Sequence, residues 1–119
     1  MFIMKTNLLL QELIHAQKMG YIVKLEMIME DHFGKINYDA ESSSFNTEWV
    51  KKLSGNELDT LKVAKNLKNF PKFKAIHIVF AETVDAKQIT QISRHITKRY
   101  NCVSKMYNNF PHKLDITGF

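Results

Sequence analysis

Between residues 21 and 40 two runs place apolar side chains at every second position, Val23, Leu25, Met27 and Met29 in one and Ile36, Tyr38 and Ala40 in the next. Strand side chains point to opposite faces in turn, so each run makes a strand with one buried face. Asp31-His32-Phe33-Gly34 between them has turn chemistry, and the two runs read as a β-hairpin. Its apolar face needs covering, so the rest of the chain must supply a second layer.

Helical spacing on either side supplies that layer. Thr6 or Asn7 can cap a helix running to Met19, with Leu9, Leu10, Leu13, Ile14 and Ala16 on a broad apolar face and Gly20 as its stop. After a polar connector over 41–44, a short helix is expected over 47–53. Ser54-Gly55-Asn56-Glu57 then fits a capping box, opening a helix over 55–69 that buries Leu58, Leu61, Ala64 and Leu67 before Pro71. Residues 75–81 are almost continuously apolar, as in a strand covered on both faces. Asp85 and Gln88 suit another helix start, and Ile89, Ile92, Ile96 and Tyr100 keep its spacing to Asn101. Residues 102–107 and 113–117 read as two strands joined through 108–112.

The expected fold is therefore α+β, a single-domain two-layer sandwich of helices packed on a mixed β-sheet. The order is α-β-β-α-α-β-α-β with room for a final strand. The strand–helix–strand unit over 75–107 should cross over right-handedly and leave its strands parallel in one sheet. Residues 1–119 read as one domain, with 1–4 a candidate disordered extension. The helix–strand–strand–helix–helix–strand order over 6–82 resembles that of a type II K-homology RNA-binding domain. That family clamps the nucleic-acid backbone with a GxxG loop, and Ser54-Gly55-Asn56-Glu57 stands in its place here, so the resemblance is one of order alone.

Composition narrows the function classes. Cys102 is the single cysteine, which excludes an intramolecular disulfide and any multi-cysteine metal site and suits a reducing compartment. The Leu8-Leu9-Leu10 run is cut by Gln11 and Glu12, too short for a secretory signal, and no run approaches the ~20 apolar residues of a membrane span. A cytoplasmic protein without membrane contact is expected. The net charge of +5 is unevenly shared: residues 1–59 sum to −3 and residues 60–119 to +8. Every cation of the second half lies in the acid-free stretches 60–81 and 86–114. Such asymmetry bears on partners.

The candidate binding residues follow from those stretches. Lys62, Lys65 and Lys68 repeat at a spacing of three on the helix over 55–69, opposite its leucines. Lys87, Gln91, Arg94 and Lys98 form one polar stripe on the last helix, with Arg99 beside it. Clustered cations of this kind bind phosphates by releasing condensed counterions, and the polar residues among them can reach sugars or base edges. Tyr107 follows the second stripe as a candidate stacking ring. Tyr100 reads as apolar helix face, and Phe110-Pro111 as closing the core.

Catalytic and metal signatures are missing. His77 in its apolar strand reads as a hydrogen-bonded core residue, and the other histidines show no zinc spacing. Cys102 reads as a small buried residue at a strand start. The hairpin acids Glu26, Glu30, Asp31, Asp39 and Glu41 fall on different faces, and the four glycines form no phosphate loop. No cofactor is expected. An enzyme requires the hairpin acids, or His77 and Cys102, to converge in a pocket. The leading expectation is a small basic non-enzymatic protein engaging nucleic acid through a cationic C-terminal face. The alternative is a protein–protein module, such as an inhibitor, immunity or adaptor protein of a mobile element or defence system, and the charge split also permits self-association.

Overall fold

The computed structural model describes residues 2–29, 34–49, 73–107 and 109–118. Two helices, α1 (Phe2–Lys18) and α2 (Ala86–Tyr100), pack on one face of a six-stranded sheet. The strands are β1 (Ile22–Met29), β2 (Gly34–Asp39), β3 (Ser44–Trp49), β4 (Phe73–Phe80), β5 (Val103–Tyr107) and β6 (Lys113–Thr117), in the spatial order β3-β2-β1-β4-β6-β5.

Local chemistry sets the helix ends. Around Gly20 (φ 89°) the Tyr21 amide donates to the Ala16 carbonyl and the Gly20 amide to the Gln17 carbonyl, both at 3.0 Å. This is the paired C-terminal bonding that needs a left-handed residue. α1 begins at Phe2, ahead of the Thr6–Asn7 cap suggested by the sequence. At the start of α2 the Gln88 amide donates to Asp85 Oδ1 (2.8 Å) and the Asp85 amide to Gln88 Oε1 (2.9 Å), a full capping box. Asn101 closes α2 in the left-handed region at φ 51°.

The β1–β2 hairpin is antiparallel, with Met27 opposite Ile36 and both buried. One expectation within it fails. Val23 is 60% exposed and Ile22 is buried in its place. The register passes from Ile22↔Phe80 to Lys24↔Val79, so a bulge at Val23 reverses the phase of alternation.

The short helix expected over 47–53 is contradicted as far as the structure describes it. Residues 44–49 form β3, which pairs with β2 from Asp39↔Ser44 to Gly34↔Trp49. The connector makes this possible, since Asp39 Oδ1 accepts from the Glu41 amide (3.0 Å), Oδ2 from the Ser42 hydroxyl (2.9 Å), and Ser43 turns the chain at φ 52°. The Tyr38 and Phe45 rings, register partners, then meet at 5.1 Å. A strand here also breaks the element order shared with the K-homology domain. The helix expected over 55–69 lies outside the described residues.

The sheet is antiparallel at every neighbouring pair, not mixed. β4 and β5 do run in the same direction on either side of α2, but β6 inserts between them and opposes both. Paired on both sides, β6 is an interior strand, and its Leu114 and Ile116 are fully buried in the core. The core lies between the layers. Leu9, Leu10 and Leu13 of α1 and Ile89, Ile96 and Tyr100 of α2 meet Leu25, Met27, Ile76 and Ile78 from the sheet. Each such burial is worth roughly 1.5–3 kcal/mol.

Candidate nucleic-acid interface

The helix stripe stands as one surface. Ile89, Ile96 and Tyr100 turn inward, and Lys87, Gln91, Arg94 and Lys98 are all exposed on α2. From Lys87 to Lys98 a helix rises about 16 Å. None of Lys87, Arg94 and Lys98 forms an ion pair among the described residues. Lys62, Lys65 and Lys68 lie outside the described residues.

Arg99 has a different setting. Its Nε lies 3.4 Å from Glu12 Oε1 on α1 and donates to the Tyr100 hydroxyl at 3.1 Å. His95 Nε2 meets the other Glu12 oxygen at 3.3 Å. Glu12 thus ties α1 to α2 through two cationic or basic side chains and leaves the rest of the stripe untouched. Within this cluster burial, and then the hydrogen bond to the Glu12 carboxylate, push the Tyr100 phenol above its ordinary value, with Arg99 opposing.

Tyr107 does not join the stripe. On β5, Ser104 and Met106 point to α2, where they meet the hydroxyls of Ser93 and Thr90. Val103, Lys105 and Tyr107 therefore face the other way, onto the side of the sheet opposite the helices. Lys105 Nζ sits 5.2 Å from the Tyr107 ring centroid. Phe110, expected to close the core, is 65% exposed.

That opposite face carries an arrangement the sequence reading did not assemble. Register places Asn37, Glu26, His77, Asp115 and Lys105 in one row across β2, β1, β4, β6 and β5. His77 is not a core residue. Ile76 and Ile78 face the helices, and the alternation puts the imidazole between them on the far face with 43% of its side chain exposed. Its Nδ1 lies 3.6 Å from Glu26 Oε1 and its Nε2 3.9 Å from Asp115 Oδ1. Glu26 is only 6% exposed, and Lys24 (3.4 Å) and Lys35 (3.8 Å) also approach it. A groove of about 310 Å³ lies over the Glu26–His77–Asp115 part of this row, walled by Lys24, Glu26, His77, Tyr107, Lys113 and Asp115.

The signal for this face was present in the alternation, since Lys24 and Glu26 interleave with Leu25 and Met27, and Lys113 and Asp115 with Leu114 and Ile116. Only strand order was lacking. Of the residues whose convergence an enzyme would need, Glu26 reaches His77, whereas Cys102 is buried with its Sγ 3.7 Å from the Ile96 carbonyl. Among the described residues no group of three or more histidines, cysteines and acids is disposed to hold a metal ion, and no helix is long and apolar enough to cross a membrane.

No protein-family model matches the chain, and neither a curated protein nor a solved structure matches it.

Proposed function

We propose that this chain binds nucleic acid, with the solvent face of α2 as the phosphate-contacting surface. The observation that carries the reading is the stripe itself. Lys87, Arg94 and Lys98 stand exposed on one helix without a carboxylate partner among the described residues, and Glu12, the acid held against α2, is engaged by His95 and Arg99. Adjacent cations of one sign repel each other, and a polyanion relieves that repulsion while releasing its own counterions. Arg99 contributes less than the other three because it already has a carboxylate. The test is the double substitution Arg94→Ala/Lys98→Ala. Loss of two phosphate contacts should lower oligonucleotide affinity by about tenfold or more and flatten its dependence on log salt by roughly 1.4–1.8. Unchanged affinity and slope would dispose of the stripe.

A protein partner is the second reading, and one feature favours it. Val103 and Phe110 are exposed large hydrophobic residues at and beside β5, the outermost strand of the sheet among the described residues. Sheet edges of this kind pair with other chains unless protected, so either a second copy or a different protein fits there. Light scattering across concentration and salt separates self-association from a monomer.

A further inference from the structure

The groove on the face of the sheet opposite α1 and α2 is chemically unlike the α2 stripe. Its walls combine an exposed ring, two lysines, a histidine and two carboxylates, so it is not simply a second basic patch. Its volume of about 310 Å³ is at the small end of the ~300–1,000 Å³ typical of ligand sites, which suits one planar group and excludes a duplex.

We infer that this groove seats a single unpaired, amino-bearing nucleobase, guanine in particular. The inference rests on the reading of the chain as a nucleic-acid binder. Tyr107 provides the stacking surface, as aromatic rings do for unstacked bases in single strands. Its register partner Lys113 on β6 places a cation where a neighbouring phosphate would lie.

The two carboxylates take different parts. Glu26 is nearly buried and already paired with Lys24 and Lys35, with His77 beside it. Asp115 is more open, and its approach to His77 at 3.9 Å is too long for a hydrogen bond. It is the acceptor left for a ligand. A carboxylate takes two parallel N–H donors best, as it does from arginine. Guanine presents such a pair, N1–H and N2–H, on its Watson–Crick edge. Uracil presents one N–H between two carbonyl oxygens, which the carboxylate repels. The site should therefore discriminate between these bases.

The experiment titrates the whole 119-residue chain with GMP and with UMP and follows backbone amides by NMR. GMP should shift the amides of His77, Tyr107, Lys113 and Asp115, with UMP about tenfold or more weaker. Asp115→Asn should erase the preference and Tyr107→Ala should weaken both nucleotides, with spectral dispersion retained in each variant. Equal binding of GMP and UMP, or no shift at those amides with either, overturns the inference. Oligonucleotide binding distinguishes the two levels. Steep salt dependence with silent groove amides rejects the groove and leaves the helix reading. GMP-selective shifts with oligonucleotide affinity indifferent to Arg94→Ala/Lys98→Ala reject the helix reading and keep the groove.

Discussion

Across the β1–β4 pair, Nδ1 of His77 stands 3.6 Å from Oε1 of Glu26, a nearly buried carboxylate that two lysines also approach. Glu26 is the hub of that cluster, and His77 is one of three groups that approach it.

The hub and the spoke should therefore differ in energetic weight. Glu26→Ala removes the carboxylate that Lys24, Lys35 and His77 all approach, and should cost about 1–3 kcal/mol in urea denaturation. His77→Ala leaves Glu26 with both lysines and removes a half-exposed ring, and should cost about 1 kcal/mol or less. Equal costs would show that the cluster is not centred on the carboxylate.

The bulge in β1 makes a second contrast. Val23→Ala should change stability by no more than about 0.5 kcal/mol, because the residue is turned out to solvent. Ile76→Ala, at a fully buried position one strand away, should cost roughly 2–5 kcal/mol. A large effect at Val23 would mean that its side chain is packed.

Alkaline titration probes the seam between the helices. The Tyr100 phenol is raised above its ordinary value, chiefly by burial and then by Glu12. The folded state therefore holds this proton more tightly than the unfolded chain does. The corresponding stability is fully present below the unfolded pKa and is lost as pH rises through the higher folded value. By ultraviolet difference absorbance Tyr100 should ionise later than a free tyrosine does, and Tyr100→Phe should remove that late step.

Glu12 restrains the basic face as well as joining the helices. Glu12→Gln removes a negative charge and releases Arg99 and His95 from their carboxylate. Oligonucleotide affinity, measured by anisotropy, should rise and its salt dependence should steepen. Weaker binding in a variant that stays folded would place Glu12 in the interface instead of against it.

Much of the fold was legible because local signals agreed with the tertiary outcome. The Asp85–Gln88 box, the Gly20 stop and the inward row Ile89, Ile96 and Tyr100 all appear as the spacing implied. Where reading failed, a pairing partner decided. Residues 44–49 became a strand because β2 offered an open edge, and Val23 turned outward because of a bulge that no periodicity announces. His77 looked like core because its neighbours are apolar, but which face of β4 is covered depends on where the helices dock. The α2 stripe was readable within one helix. The groove joins residues from β1, β4, β5 and β6, and only the strand order brings Glu26, Tyr107 and Asp115 beside His77.

The proposed role, nucleic-acid binding through charge on α2, rests on Lys87, Arg94 and Lys98. The most direct measurement titrates the chain with labelled single- and double-stranded DNA and RNA at about 50 and 200 mM salt. Several phosphate contacts predict an affinity loss of at least about tenfold over that range, with the slope reduced in Arg94→Ala/Lys98→Ala. Absent binding at the lower salt, or binding indifferent to salt, would contradict the claim and leave Lys87, Arg94 and Lys98 as solvated surface.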